Sequence, residues 1–233
     1  MRNFTLKKTG FILLALAVFS MTLTSCGKTE VADTTISYVR VVNGSPGLAT
    51  YNVYLSGNII NTAALPFLGS TSYISRSSGA YNLKFTSASS TETLFTKDIT
   101  LNPSTNYSYY LINKPGQLDG FLIGDDLSVS AADKAYIRFV NLSPDAPAAD
   151  LVKTGATTSL ITNKAYKTAS TYITVDPGTI SLDVKDTSTG TVRTTKTDAT
   201  FAAGYHYDVI LGGLINPAND TERALTLQVL TIK

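Results

Sequence analysis

From residue 36 onward, apolar and polar residues alternate with a period of two. Tyr81, Leu83 and Phe85 interleave with Asn82, Lys84 and Thr86, and Ile180, Leu182 and Val184 interleave with Ser181, Asp183 and Lys185. Tyr107, Tyr109 and Leu111 continue the pattern. Alternation places one set of side chains on each face of a pleated strand, so these runs predict half-buried β-strands. Turn residues stand between them at short intervals: Gly57-Asn58, Ser77-Ser78-Gly79, Asn102-Pro103 and Asp176-Pro177-Gly178. No stretch after residue 35 carries helical spacing. The prediction is an all-β chain.

Two runs differ from the rest. Tyr38-Val39-Arg40-Val41-Val42-Asn43-Gly44-Ser45-Pro46 and Tyr136-Ile137-Arg138-Phe139-Val140-Asn141-Leu142-Ser143-Pro144 read as buried strands that enter proline-punctuated loops. They align without a gap from Tyr38 to Gly57 against Tyr136 to Gly155. Further on, Tyr73-Ile74 meets Tyr172-Ile173, Gly79 meets Gly178, and Tyr107 meets Tyr207. The alignment predicts two tandem antiparallel β-sandwiches of immunoglobulin-like proportions, 36–124 and 135–233, joined by a polar linker at 125–134.

The first 25 residues have another character. Arg2, Lys7 and Lys8 precede an apolar or small stretch from Phe11 to Met21, shorter than the roughly 20 apolar residues that a bilayer span needs. This is the pattern of an export signal. Leu23-Thr24-Ser25-Cys26-Gly27 resembles the lipobox of bacterial lipoproteins. That resemblance implies cleavage before Cys26, lipidation of its thiol with diacylglycerol and palmitate-type chains, and a tether over 26–35. It places the protein in the bacterial cell envelope, at the outer membrane, facing the periplasm or the cell surface. Cys26 is the single cysteine, so the exported part folds without disulfides.

The chain carries 19 Lys+Arg against 17 Asp+Glu; without residues 1–25, which hold three cations and no acid, 16 stand against 17. The basic excess belongs to the signal, and a nucleic-acid partner is not indicated.

Candidate chemistry is sparse. A catalytic triad would need His206, the one histidine, and the first repeat has Asn106 there. Because His206 faces away from Tyr207, it reads as a solvated strand residue. Glu30, Glu92 and Glu222 are the three glutamates, and Asp125-Asp126 sits at the repeat boundary. Asp145 and Asp150 flank the proline loop, where Asn, Asp and Ser most often bond their own backbone. No metal or cofactor is indicated. Asn43, Ser45, Pro46, Asn141, Ser143, Pro144, Asp145 and Asp150 are therefore the residues of a candidate binding or structural loop. Among the 13 tyrosines, Tyr73, Tyr107, Tyr172 and Tyr207 recur at matched positions and read as core residues with hydroxyls at the rim. Tyr51 and Tyr54 have no aromatic counterparts and are candidate surface contacts.

The run from Arg138 to Leu151, Arg-Phe-Val-Asn-Leu-Ser-Pro-Asp-Ala-Pro-Ala-Ala-Asp-Leu, resembles the opening signature of domain-of-unknown-function family 4397, R-V-V-H-A-S-P-D-A-P-A-V-D-V. Val175-Asp176-Pro177-Gly178 and Ala202-Ala203-Gly204-Tyr205-His206-Tyr207 resemble its later turns, and the likeness runs through both repeats. Asn43 and Asn141 replace the motif histidine, Gly47-Leu48-Ala49 replaces Asp-Ala-Pro in the first copy, and Asn52 stands opposite Asp150. The resemblance implies an exported, anchored envelope protein and supplies no reaction. The expected function is a non-catalytic binding or scaffold module for an envelope protein or glycan. The alternative is a carbohydrate hydrolase that uses aspartates.

Overall fold

Thr, Val, Ile and Tyr at alternate positions give strands throughout: the computed structural model describes residues 35–233 and shows seventeen strands with no helix among them. In the first half these are β1 (Ile36–Asn43), β2 (Tyr51–Leu55), β3 (Asn58–Ile59), β4 (Ile74–Ser77), β5 (Gly79–Ser87), β6 (Thr93–Leu101), β7 (Asn106–Ile112) and β8 (Asp119–Asp125). The second half has β9 (Ala135–Asn141), β10 (Ala149–Lys153), β11 (Ser159–Lys164), β12 (Thr168–Ala169), β13 (Ile173–Val175), β14 (Gly178–Asp186), β15 (Val192–Phe201), β16 (His206–Gly212) and β17 (Thr226–Thr231). Signal, lipobox and Cys26 lie outside the described residues.

One succession of sheets occurs twice. In the first half, sheet β4-β1-β7-β8 faces sheet β3-β2-β5-β6; in the second, sheet β12-β9-β16-β17, with β13 also on β9, faces sheet β11-β10-β14-β15. The all-β sandwich prediction holds, with one departure from purely antiparallel pairing in each half. β1 runs parallel to β7, with Val39 opposite Tyr107, and β9 runs parallel to β16, with Ile137 opposite Tyr207. Gly79 and Gly178, both at positive φ (147° and 135°), open β5 and β14 at the matched turns.

Each sandwich closes on its own core. Val39, Val41, Val53, Leu83, Phe85 and Leu111 belong to the first; Ile137, Phe139, Leu151, Leu182, Val184 and Val209 belong to the second. Tyr107 and Tyr207 sit in these cores, and their hydroxyls accept from the amides of Asn102 and Ala202 at 3.1 and 2.9 Å, as tyrosine corners do. Tyr51, a candidate surface contact, is instead 1% exposed in the first core.

A third apolar cluster lies between the two sandwiches. Val42 of β1, Tyr110 and Ile112 of β7, Val140 of β9 and Ile210 of β16 join Leu68 and Leu142 there. Sheets β4-β1-β7-β8 and β12-β9-β16-β17 therefore pack back to back, which gives four sheet layers within one compact unit, Thr34–Lys233. This explains the unbroken burial of β9 and most of β1: strands covered on both faces have no solvent side. Loops pin the seam as well. The Arg223 amide donates to Pro46 O and the Leu48 amide to Thr221 O, both at 3.1 Å. Lys114 pairs with Glu222 at 2.7 Å and Lys167 with Asp119 at 2.5 Å.

Candidate functional site

An arginine in the middle of an apolar strand must find acceptors where it is buried, because an unpaired interior charge is very costly. Arg40 and Arg138 occupy matched positions on β1 and β9 and are each 2% exposed. Alternation turns both away from their own cores and toward the seam. There they meet Asp208 of β16 and Asp125 at the end of β8. Arg138 Nε donates to Asp208 Oδ1 at 2.9 Å, and Arg40 Nη2 donates to Asp208 Oδ2 from the other repeat. Arg138 in turn crosses the seam to Asp125 as an ion pair, Nη1 to Oδ1, at 2.7 Å.

Hydroxyls complete the cluster. Tyr110 donates to Asp208 and accepts from Arg138 Nη2 at 3.0 Å. Ser108 accepts from Arg40 Nε at 2.8 Å and donates to Asp125 Oδ2 at 2.7 Å. Tyr73 donates to Asp125 at 2.5 Å. Two guanidiniums and two carboxylates balance. Burial alone would raise the Asp208 carboxyl, but Arg138 and Arg40 outweigh it and hold the group below the usual carboxylate range.

The matched tyrosines Tyr73 and Tyr172 belong to this cluster rather than to the cores, which corrects their sequence assignment. Their rings lie over Arg40 and Arg138, with centroids 5.7 and 4.7 Å from the guanidinium carbons. His206 also departs from expectation. It is fully buried on the seam side of β16, stacked on Tyr136 at 4.5 Å and met edge-on by Tyr172 at 5.0 Å. Neither ring nitrogen has a hydrogen-bond partner among the described residues, and burial pushes its pKa below the ordinary value. It faces away from Tyr207, as alternation requires, but that second face is also interior.

The proline loops are built alike in both repeats. Asn43 donates to Leu65 O and accepts from the Ser45 amide, each at 3.0 Å. Asn141 donates to Lys164 O at 3.0 Å and accepts from the Ser143 amide at 3.1 Å. Each asparagine thus ties its turn, Ser45-Pro46 or Ser143-Pro144, to a neighbouring segment. Asp145 accepts from the Ile215 and Asn216 amides at 2.9 and 3.0 Å. Asp150 accepts from the Asn163 amide at 2.8 Å, Ser159 Oγ at 3.1 Å and Thr187 Oγ1 at 2.6 Å. These bonds overcome its partial burial and keep its pKa low. Tyr54 lies on the outer face of β2 with Lys84 Nζ 4.3 Å from its ring centroid. Among the described residues no group of three or more His, Cys, Asp or Glu is arranged to hold a metal ion.

Two clefts open at the seam beside the charge cluster. The larger, about 450 Å³, lies between β8 and the β12–β13 segment, with Phe121, Ile123, Asp126, Arg138, Lys167 and Tyr172 in its walls. The smaller, about 250 Å³, lies beside Arg40 and Tyr73, against Thr231 and Ile232. Sequence reading missed both. The available signal was the matched recurrence of Arg40/Arg138 together with Tyr73/Tyr172.

Residues 37–152 match the model of a family described as Domain of unknown function (DUF4397). The chain thus resembles that family across the first repeat, the linker and the opening of the second repeat; the likeness had been expected to run through both repeats. No curated protein matches the chain. Among solved structures, CBMbc (family CBM26) from Eubacterium rectale Amy13K, in complex with maltoheptaose, is similar with 13% identity over 83% of this chain and 96% of that one. The TM-score is 0.25, and a likeness of that degree carries no argument about fold or ligand.

Proposed function

We propose that this chain is a bacterial lipoprotein, held at the outer membrane through lipid on Cys26, whose double sandwich is a non-catalytic binding or scaffold module for an envelope protein or glycan. The observation that carries the non-catalytic reading is the engagement of the aspartates a hydrolase would use. Asp125 and Asp208 are locked by arginines, and Asp145 and Asp150 are held by backbone amides. A general acid needs a carboxyl with a raised pKa, yet Asp208 and Asp150 are both lowered. The binding reading draws on the seam clefts and on walls built from strands, which hold side chains in fixed positions.

Two measurements test it. Expressed in a lipoprotein-processing bacterium, the chain takes up radioactive palmitate and partitions with detergent, and Cys26→Ala does neither; equal behaviour of the two removes the anchor. Incubated with envelope polysaccharides, the purified chain releases no new reducing ends, and a pull-down from intact envelope retrieves a partner or glycan. Turnover abolished by an aspartate substitution would make it an enzyme.

A further inference from the structure

The two repeats press matched surfaces together, so a mismatch in sequence makes the two sides of the seam differ. Counting back five residues from Tyr73 and from Tyr172 gives Leu68 and Lys167, both at left-handed φ (58° and 61°). Leu68 is buried in the inter-repeat cluster against Gly212, where a Cβ would come within 2.9 Å of its Cδ2. Lys167 instead reaches outward to Asp119 and leaves its side of the seam unfilled. A second mismatch deepens the difference. Phe121 pairs with Tyr110 on β8, whereas Gln228 pairs with Ile210 on β17. The Lys167 side is accordingly the one with the larger cleft, floored by Phe121 and Ile123 and walled by Tyr172.

We propose that this cleft receives a pyranose ring of a neutral oligosaccharide, with the apolar C–H face on Phe121 and Tyr172 and the hydroxyl rim toward Asp126, Thr171 and Lys167. This deepens the binding-module reading and rests on it. About 450 Å³ lies within the size range of small-ligand clefts. The walls combine aromatic rings with exposed hydroxyl and carboxylate groups, which suits a ligand that is apolar on its faces and polar around its edge. Charge argues against an anion: Arg138 is already paired with Asp125 and Asp208, and Lys167 with Asp119. Charge also argues against a purely apolar occupant. The two hydrogen bonds of Arg138, to Asp208 and Tyr110, leave N–H groups of its guanidinium for a further acceptor, and Arg138 lines this cleft. Tyr172 is fixed in place by Arg138 beneath its ring, so its wall is set before a ligand arrives.

The test is calorimetric titration of the full chain in detergent with maltotetraose, cellotetraose and mannotetraose, and with an acidic galacturonate tetramer for comparison. At least one neutral tetramer binds saturably. Thr168→Trp, which fills the cleft from an exposed position, weakens binding about tenfold or more. Phe121→Ala weakens it similarly, and Thr231→Trp in the smaller cleft leaves it unchanged. Absence of neutral binding, tighter binding of the acidic tetramer, or full binding by Thr168→Trp would each overturn the assignment. If sugar binding fails while the envelope pull-down still retrieves a partner, the module reading stands and this cleft assignment falls. Cleavage of a bound tetramer would instead overturn the reading on which it rests.

Discussion

Asp208→Ala is the sharpest perturbation of the seam. The wild-type carboxylate is fully buried and takes bonds from Arg40, Arg138 and Tyr110, with Tyr172 Oη at 3.4 Å. Removing it leaves three buried donors without that acceptor and two guanidiniums sharing Asp125. Breaking a buried pair from one side costs about 3–5 kcal/mol, because the remaining charge stays desolvated. For a chain of this size each kcal/mol lowers Tm by about 2–4 °C, so the midpoint falls by about 6–20 °C. Urea unfolding followed by circular dichroism and tyrosine fluorescence gives the free-energy change at constant m. Arg40→Met alone leaves the cluster one charge negative, and combining it with Asp208→Asn restores balance. The double variant therefore loses less than its singles added together. A loss below about 1 kcal/mol for Asp208→Ala, or strict additivity in the cycle, would refute the picture of a dry, mutually dependent cluster.

Three further outcomes follow. His206 is held neutral by burial, so the folded chain binds fewer protons than the unfolded one below the ordinary pKa of 6.5, and stability falls as pH drops from there toward the lower folded value. Arg138 and Lys233 oppose its protonation while Asp126 favours it; His206→Phe, which keeps the stack on Tyr136, flattens the urea midpoint between about pH 7 and pH 5, and an unchanged slope would acquit His206. A fragment of residues 133–233 keeps its own core and unfolds cooperatively, but at lower urea than the full chain, because Val140, Leu142 and Ile210 lose their seam partners; equal midpoints would mean the seam adds nothing. Asn141→Ala costs about 1–3 kcal/mol, since it strands the buried Ser143 amide and Lys164 carbonyl, whereas exposed Asp145→Ala costs about 1 kcal/mol or less by the same denaturation.

The sandwich strands were legible because one face of each was wet. Leu83 and Phe85 alternate with exposed Asn82 and half-exposed Lys84, and the pattern states which side is core. β1 and β9 offered no such contrast. Alternation placed His206 opposite Tyr207 and could not say that the opposite face is covered too. The arginines were visible as a matched pair, but their acceptors were hidden by the alignment. Asp208 aligns with Ser108, and Asp125, the last residue of β8, had been assigned to the linker. A repeat comparison finds what two copies share, and here the carboxylates are what they do not share. The asparagine corners were legible for the opposite reason, since their partners are local and their spacing is identical in both repeats.

That asymmetry bears on why the repeats dock in one way. In a symmetric dimer each contact occurs twice, with residue i of one copy meeting j of the other and the reverse. Here each repeat contributes one arginine and one aspartate, and each arginine crosses the seam to the other repeat's aspartate, Arg40 to Asp208 and Arg138 to Asp125. The exchange is reciprocal, as in a dimer, yet the aspartates stand on unmatched strands, Asp208 on β16 and Asp125 on β8, so its two halves are not equivalent. Apolar contacts such as Val42 and Val140 tolerate sliding, whereas a buried, charge-balanced cluster does not. The same divergence between copies that fixes the docking also exchanges Leu68 for Lys167 and Gln228 for Phe121. Docking specificity and an open cleft thus arise from one cause, the loss of identity between two sheets that face each other.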